Sequence, residues 1–279
     1  MKGCICLDID GTVTADPLAI PEETVRLLKE LHKRGWEFLF ITGRAYSFAC
    51  RVLQVIDFPY FFSVQNGADL LLMPEKKNLA REYLPATIIP KLELIAKDIA
   101  EGFLIYSGYE KGDFCYYNPS EFTPTMMKHL EVVRTMSNEP WVERETFVFS
   151  EGESFPLVKC LGSEEEMLAL NKLLKQVPEV ETSCVKDPLA DCIHLNLITS
   201  PKSSKGAALN KVRSYMPEGT LFIAAGDDYN DISMLQEADV AIVMATAPEV
   251  MIKMADILAA PAKEQGLIKA LLQATKEEF

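Results

Sequence analysis

The feature that most limits the possible folds is an alternation of apolar runs and amphipathic stretches along the chain. Residues 4–9 form a short apolar run that ends among acids and a glycine, which is typical of a buried parallel strand. Stretches with helical spacing follow at 21–35 and at about 44–56, and the apolar segments 36–43 and 61–68 come after them. This β-α-β-α-β order predicts a parallel sheet with helices on both faces.

The same alternation returns later in the chain. Helical patterns at 205–216, 229–238 and 264–279 alternate with strand patterns at 220–228 and 239–244. Residues 82–187 lie between the two regions and lack this regular order, although they contain aromatic, hairpin-like stretches and two helical pieces. We therefore expect an α/β fold with a Rossmann-like, doubly wound parallel sheet. Its core domain would comprise residues 1–81 and 188–279, with an α+β cap domain inserted at 82–187.

The charge and the cysteines restrict the partners and the compartment. A net charge of −13 disfavours binding to nucleic acid or to an anionic membrane surface. No apolar stretch is long enough to span a bilayer. The seven cysteines are scattered without a Cys-x-x-Cys pair, which argues against a disulfide framework and a structural zinc site. We expect a cytoplasmic protein without nucleic-acid or membrane partners, whose oligomeric state the sequence does not reveal.

Acidic and hydroxyl side chains follow the predicted strands. Asp8 and Asp10 end the first strand, Thr42 ends the second, and the acids of "GDDYND" at 226–231 follow a later one. The carboxyl ends of parallel strands line one crevice, so these groups should meet there. Two carboxylates about 4 Å apart repel by about 4 kcal/mol at an effective dielectric near 20. A divalent cation that prefers oxygen ligands, such as Mg²⁺, would remove this repulsion.

Neighbouring groups in the same crevice suit a phosphate. Lys205 would supply a fixed positive charge, and Thr42 a hydroxyl donor. The backbone around Gly11, where glycine permits close approach, could direct N–H groups at phosphate oxygens. Arg44 could contact the substrate or the cap, although a structural ion pair is an equally good interpretation. Asp228 is expected to cap the helix that follows it.

Four motifs carry a resemblance to a known family. "LDIDGT", "ITGR", "KSSKGAAL" and "GDDYNDISML" resemble, in sequence order, the motifs of haloacid dehalogenase (HAD) superfamily phosphatases. The "QNGA" at 65–68 and the position of the insertion are similar to the Cof-type branch, which has a C2B-type cap. The resemblance covers about residues 1–80 and 190–279, and it matches the cap only by position and size.

The resemblance implies a mechanism for Asp8 and Asp10. Asp8 would be the nucleophile that forms an aspartyl-phosphate. Asp10 would protonate the leaving alcohol and then deprotonate the attacking water. Mg²⁺ would be held by Asp8, by Asp227 and by the backbone carbonyl of Asp10. Asp231 would act as a ligand through water or as a nearby support.

The family pattern also implies which side chains bind the transferring phosphoryl group, namely Thr42, Lys205 and Asn230. The sequence departs from the pattern in two places. "VMATA" at 243–247 stands where a Met-Gly-Asn-Ala turn is usual, which predicts a different path for that loop. A glutamate common before the lysine motif is replaced by either Asn196 or Leu197.

These features together predict a Mg²⁺-dependent phosphatase that hydrolyses a small phosphate monoester, such as a sugar phosphate or a similar metabolite. A phosphomutase of the phosphomannomutase type is the first alternative, because it shares the core and the cap type. The second is a non-catalytic protein that binds a sugar phosphate on the same fold.

Overall fold

The computed structural model describes residues 1–137, 139–187, 189–190 and 192–278. Pro188 and Phe279, the first and last residues of the predicted core segment 188–279, lie outside these residues. In chain order the strands are β1 (Gly3–Asp8), β2 (Trp36–Ile41), β3 (Tyr60–Val64), β4 (Asp69–Met73), β5 (Lys77–Arg81), β6 (Leu84–Pro85), β7 (Phe103–Tyr106), β8 (Cys115–Tyr117), β9 (Trp141–Glu143), β10 (Ser154–Phe155), β11 (Leu157–Gly162), β12 (Glu181–Lys186), β13 (His194–Thr199), β14 (Leu221–Gly226), β15 (Val240–Met244) and β16 (Ile257–Ala259). The α-helices are α1 (Glu22–Lys33), α2 (Tyr46–Leu53), α3 (Ile89–Ala96), α4 (Pro124–Ser137), α5 (Glu164–Leu174), α6 (Lys205–Arg213), α7 (Ile232–Glu237), α8 (Glu249–Ile252) and α9 (Gly266–Thr275).

The first sheet has the strand order β16-β15-β14-β1-β2-β3-β4-β5. The six strands from β16 to β3 run parallel. β1 lies centrally, and the chain proceeds outward from it through β2 and β3 on one side and through β14, β15 and β16 on the other. The predicted doubly wound α/β fold is therefore confirmed. In such a sheet the crevice lies where the strand order reverses, which here is between β1 and β14.

Side chains of β1 alternate between two apolar layers. Ile5 and Leu7 pack with residues of α1, α2 and α9, whereas Cys4 and Cys6 pack with residues of α6, α7 and α8. All four side chains are fully buried. A strand covered on both faces reads as a continuous apolar run, which explains the pattern at the start of the sequence.

Helix α1 shows how local sequence sets an element of this core. Pro21 precedes it, and Glu22 and Glu23 occupy the first turn, where acids are favoured by the helix dipole. Leu27, Leu28 and Leu31 form its buried face. At the other end Gly35 adopts a φ of 93°, which a residue with a side chain rarely adopts.

One edge of the first sheet differs from the expected all-parallel arrangement. β4 pairs antiparallel with β3, and β5 pairs antiparallel with β4. The connection from β4 to β5 consists of residues 74–76, which is long enough for an antiparallel hairpin and too short for a parallel crossover. The sheet is therefore mixed at this edge.

The second sheet has the order β12-β13-β11-β7-β8-β9, and its pairs are antiparallel except for β8 with β9. Helices α3 and α5 cover one face of it. The expected boundary at residue 187 assigns β13 to the core, but β13 pairs with β11 and β12 instead. On the criterion of strand pairing, that boundary is wrong, and the chain leaves the second sheet only after Thr199. The division into two domains stays a proposal.

Two further expectations can be compared with the structure. Neither Ala245 nor Thr246 has a positive φ, in accord with the different path expected for the 243–247 loop. Within the described residues, no helix combines the length and the apolar character needed to cross a bilayer.

Candidate active site

Asp8 and Lys205 form the centre of a buried charge cluster at the switch point of the first sheet. Asp8 is the last residue of β1, and Lys205 is the first residue of α6. The Lys205 Nζ atom lies 2.5 Å from an oxygen of Asp8 and 2.5 Å from an oxygen of Asp231. All three side chains are almost completely buried. The ammonium therefore compensates two carboxylates that come from distant parts of the sequence.

A third carboxylate, Asp227, lies beside this pair. One oxygen each of Asp8, Asp227 and Asp231 lies within 4.8 Å of the others. Burial raises the pKa of the Asp8 carboxyl to about 8, the charges of Asp231 and Asp10 add to the effect, and Lys205 opposes it. Burial, with Asp8 and Asp231 next in size, also raises the pKa of Asp227 well above its ordinary value. The cluster thus holds more negative charge than Lys205 alone balances.

Asp231 has further partners that fix the loop after β14. Its second oxygen accepts hydrogen bonds from the backbone N–H groups of Asp227 (3.0 Å) and Asp228 (3.1 Å). The carboxylate therefore orients Asp227 and Lys205 at once. Asp228 caps the turn that follows, since its side chain accepts a hydrogen bond from the N–H of Tyr229, as expected.

Gly11 is required by the close approach of Asp227. It has a φ of +79°, and a Cβ at this position would lie 2.1 Å from the Asp227 Oδ2 atom. The neighbouring Thr12 donates a hydrogen bond from its hydroxyl to the other oxygen of Asp227, at 3.1 Å. The turn after β1 therefore positions a carboxylate of the loop after β14.

Asp10 has a different partner from the other acids. Arg44 Nε donates a hydrogen bond to Asp10 Oδ2 at 2.7 Å, and Arg44 Nη2 donates to Asp10 Oδ1. The guanidinium also donates to the carbonyl of Pro17 at 2.7 Å and lies over the ring of Phe48. The Asp10 carboxylate thus stands apart from the three clustered carboxylates. Of the two interpretations of Arg44, the structure has the ion pair.

Thr42 and Asn230 both form hydrogen bonds with Asn66, one with its backbone and the other with its side chain. The backbone carbonyl of Thr42 accepts a hydrogen bond from the Asn66 N–H at 2.9 Å, and the Asn66 side-chain oxygen accepts one from Asn230 Nδ2 at 3.2 Å. The Thr42 hydroxyl oxygen accepts from the Arg44 N–H at 3.1 Å, which leaves its own O–H to donate. Asn66 has a φ of 59°, a conformation in which asparagine is tolerated better than most residues.

Comparison with known proteins identifies the family. The sequence matches the haloacid dehalogenase-like hydrolases over residues 5–271. The chain belongs to this family. Curated relatives of this hydrolase include the 5-amino-6-(5-phospho-D-ribitylamino)uracil phosphatase YitU of Bacillus subtilis, which is 25% identical over 96% of this chain and 95% of its own length. Phosphatase YwpJ of the same organism is 24% identical over 94% of this chain and 96% of its own length.

Solved structures show the same fold. A haloacid dehalogenase-like hydrolase from B. subtilis superposes with a TM-score of 0.77, at 20% identity and with complete coverage of both chains. The subclass IIB sugar phosphatase BT4131 superposes with a TM-score of 0.74, at 20% identity and with 98% coverage of each chain. The family match and the phosphatase relatives place this hydrolase among the phosphatases.

In this HAD-like phosphatase the second sheet lies against the active-site loops. The N–H of Lys186, at the end of β12, donates to the Asp228 carboxylate at 3.2 Å. The Leu197 Cδ1 atom on β13 lies 3.2 Å from where a Cβ of Gly43 would be. Asn196, by contrast, is fully buried and accepts a hydrogen bond from Asn171 at 2.8 Å. Of the two residues considered for the missing glutamate, Leu197 is therefore the one that faces the site.

A loop of the second sheet also contacts α2. This helix has no capping side chain of its own, and Ala45 precedes it. The carboxylate of Asp113 accepts hydrogen bonds from the N–H groups of Tyr46 (3.3 Å) and Ser47 (2.5 Å), and from the Ser47 hydroxyl. Asp113 thus caps α2, a helix that packs on the first sheet. This helix begins at Tyr46, two residues after Arg44.

The structure brings together most of the predicted site residues. Asp8, Asp227, Asp231 and Lys205 form one cluster, Gly11 lies against it, and Thr42 and Asn230 meet at Asn66. The carboxylate of Asp10 and the side chain of Arg44 form a separate pair. Sequence reasoning missed Thr12, Asn66 and Asp113. The first two lie within "DIDGT" and "QNGA", so their motifs were a signal, whereas nothing in the local sequence marks Asp113.

Proposed function

We propose that this phosphatase hydrolyses a small phosphate monoester of the sugar-phosphate type, with Asp8 as nucleophile and Mg²⁺ as cofactor. The observation that carries the proposal is the convergence of Asp8, Asp227 and Asp231 beside Lys205 at the switch point of the first sheet. Such a site can bind a phosphoryl group between a cation and a fixed ammonium.

The donor set fits a small divalent cation. It consists of carboxylate oxygens, which Mg²⁺ prefers, and the pKa values of Asp8 and Asp227 are raised first by burial and then by the neighbouring carboxylates, both of which a bound cation would offset. Asp8 and Asp227 would hold the ion, with the backbone carbonyl of Asp10 as a third ligand. Asp231 is occupied by Lys205 and two backbone N–H groups, which favours a supporting role. When bound, the ion would neutralise the carboxylates and the phosphoryl oxygens.

Asp8 is suitably held for attack. Lys205 donates to its Oδ1 atom, so Oδ2 is the oxygen that can bond to phosphorus. As that bond forms, the bond from phosphorus to the leaving oxygen breaks, and Asp10, which must enter this step protonated, donates its proton to the leaving oxygen. Water then attacks phosphorus and gives a proton to Asp10, the bond from phosphorus to Asp8 Oδ2 breaks, and inorganic phosphate leaves with the Asp8 carboxylate restored. Asp10 must release one of its hydrogen bonds to Arg44 to reach the leaving oxygen.

Three side chains are assigned to the transferring phosphoryl group, namely Lys205, Thr42 and Asn230. Lys205 keeps its charge, since Asp231 and Asp8 raise its pKa more than burial lowers it. The hydroxyl of Thr42 and the amide of Asn230 supply neutral donors. The Arg44 N–H positions the Thr42 hydroxyl and Asn66 positions the Asn230 amide before substrate arrives. Such positioning is the main source of catalysis in phosphoryl transfer.

The substrate class is supported by the relatives. YitU is named a phosphatase of 5-amino-6-(5-phospho-D-ribitylamino)uracil, and BT4131 is named a sugar phosphatase. A small metabolite also suits the acidic composition and the expected cytoplasmic location, which stays a prediction.

The test is the substitution Asp8→Asn, assayed with para-nitrophenyl phosphate with and without Mg²⁺. Loss of the nucleophile should lower kcat by at least about 1,000-fold. The variant should still fold, because it removes a buried charge and keeps the shape. Asp16→Asn is the matched control, since Asp16 is exposed on the same loop. Undiminished turnover by Asp8→Asn, or wild-type turnover that ignores Mg²⁺, would remove the proposal. Release of inorganic phosphate, rather than isomer formation with a bisphosphate activator, separates a hydrolase from a mutase.

A further inference from the structure

Lys159 lies in the middle of the second sheet, on the face directed toward the active site. It is on β11, and its paired neighbour on β13 is Leu197. Residues directly paired across strands project to the same face of a sheet. Leu197 packs beside Gly43, which follows the phosphate-binding Thr42. Lys159 is therefore one strand away from a side chain that contacts the active-site loop.

The Lys159 ammonium has unused hydrogen-bonding capacity. Its Nζ atom lies 4.8 Å from the centre of the Tyr106 ring. In the described part of the chain no side chain or carbonyl accepts a hydrogen bond from it, and its side chain is partly exposed. Removal from water lowers the pKa of Lys159, although the nearby charges of Glu139, Asp187 and Asp10 oppose this. The three N–H groups of this ammonium therefore remain able to donate, within electrostatic range of the proposed general acid Asp10.

Glu139 offers a complementary acceptor. Its side chain is 5% exposed, and its Oε2 atom is buried without a hydrogen-bond partner among the described residues. Glu139 and Lys159 influence each other electrostatically but form no ion pair. A buried carboxyl oxygen without a partner is unfavourable, so a ligand group that donates to it would be stabilised.

The surrounding charges indicate the chemistry of that ligand group. A hydroxyl can donate to Glu139 and accept from Lys159 at the same time. A second phosphate on the substrate would instead meet the negative charges of Asp187 and Asp10, and of Glu139 when it is ionised, around a single ammonium. The arrangement favours a neutral hydroxylated leaving group.

We propose that Lys159 and Glu139 bind a hydroxyl group of the leaving alcohol and thereby select polyol or sugar monophosphates. This inference rests on the proposed phosphatase function and adds the residues that recognise the carbon skeleton. Lys159 shares the face of the second sheet on which Leu197 contacts the Gly43 loop, so a hydroxyl bound there would lie on the second-sheet side of the phosphoryl group.

The experiment compares kcat/KM of wild type, Lys159→Met and Glu139→Leu on three kinds of ester. These are glycerol phosphate and hexose monophosphates, para-nitrophenyl phosphate (which lacks hydroxyl groups), and a hexose bisphosphate. Loss of one hydrogen bond to a charged group should lower the ratio of hydroxylated to aryl ester turnover by about 10- to 100-fold in either variant. Methionine fits among the neighbouring leucines, and circular dichroism would check that each variant folds. Lys172→Met, on the exposed surface of α5, is the control and should keep the wild-type ratio.

The outcomes are distinguishable. An unchanged ratio in Lys159→Met, or a loss confined to the bisphosphate, would overturn the inference while wild type remains an active phosphatase. Equal losses on aryl and hydroxylated esters would also overturn it, because they would indicate a role in phosphoryl binding or structure. If wild type turns over none of the esters with Mg²⁺, the proposed function itself has failed.

Discussion

The guanidinium of Arg44 donates hydrogen bonds to both carboxylate oxygens of Asp10. The Arg44 side chain is 5% exposed, and its remaining contacts with Pro17 and Phe48 leave it little freedom. A bidentate pair of this kind fixes the direction of a carboxylate, and lysine cannot reproduce it. Arg44 is therefore a positioning residue for the proposed general acid.

This pair predicts a defect in Arg44→Gln. The Asp10 carboxylate would lose its fixed direction, and we expect kcat to fall about 10- to 100-fold with a smaller change in KM. Arg44→Lys should retain most of the defect. Steady-state kinetics on para-nitrophenyl phosphate provide the measurement. Arg51→Gln serves as the control, because among the described residues Arg51 donates only to the carbonyl of Met136 at the surface. Similar losses in both variants would contradict a specific role for Arg44.

Gly11→Ala should displace Asp227. A Cβ on Gly11 would come within 2.1 Å of the Asp227 carboxylate, so that carboxylate or the turn must move. We expect at least about 10-fold weaker activation by Mg²⁺, measured from the dependence of turnover on Mg²⁺ concentration. Gly219→Ala is the matched control, because Gly219 has the same φ of +79° and no atom of the described residues lies within 4 Å of where its Cβ would be. It should lose only about 1 kcal/mol of stability. Unaltered Mg²⁺ dependence in Gly11→Ala would refute the argument.

Lys205→Met should destabilise the protein in the absence of metal. It leaves Asp8 and Asp231 buried without their shared cation, and breaking a buried ion pair in this way costs about 3–5 kcal/mol. Urea unfolding in EDTA measures the free energy of unfolding. Lys211→Met changes an exposed lysine of the same helix and should stay within about 0.5 kcal/mol of wild type. A cost below about 1 kcal/mol for Lys205→Met would show that the ammonium does not balance the cluster.

Asp113→Ala should loosen the contact between the second sheet and α2. It removes a helix cap that accepts from Tyr46 and Ser47, and we expect a loss of about 1–2 kcal/mol in unfolding free energy. Asp98→Ala is the appropriate comparison, because Asp98 also has a positive φ (66°) but is exposed. Any part of the loss that comes from backbone strain should appear in both variants. Equal unfolding free energies would mean that the cap contributes nothing measurable.

The raised pKa of Glu139 leads to a predicted pH dependence of the free energy of unfolding. Burial raises the pKa of the Glu139 carboxyl to about 7, although Lys159 lowers it in part. An unfolded glutamate has a pKa of about 4.3, so between these values the folded protein holds a proton that the unfolded chain has released. Stability therefore falls as pH rises from about 4.5 to 7 and then levels off. Wild type should lose about 3 kcal/mol more than Glu139→Gln over this range, measured by urea unfolding at several pH values. Parallel curves for the two proteins would argue against the raised pKa.

The meeting of Asp8 with Asp227 could be predicted from the sequence. Each follows an apolar strand, and parallel strands place their carboxyl ends at one edge of the sheet. The pairing of Asp10 with Arg44 could not be decided in the same way. It depends on the path of the turn after β1, and the pattern of residues was equally compatible with an arginine that faces the substrate.

The position of β13 shows a second limit of sequence reasoning. Its apolar alternation predicts a strand but does not say which sheet that strand joins, and the pairing with β11 and β12 is a long-range choice. Asp113 illustrates the same point for a side chain. An aspartate before a phenylalanine in a loop carries no local mark of the helix that it caps, 67 residues earlier in the chain at Tyr46.

The membership of β13 in the second sheet has a mechanical consequence. Thr199 ends this strand and Lys205 begins α6, and Ser203 between them donates to the carbonyl of Asn66 and accepts from the hydroxyl of Thr199. A rotation of the second sheet away from the first would therefore shift the Lys205 ammonium beside Asp8, because only residues 200–204 connect β13 to α6. Release of the product and loosening of the contact between Lys205 and Asp8 would then occur in the same movement.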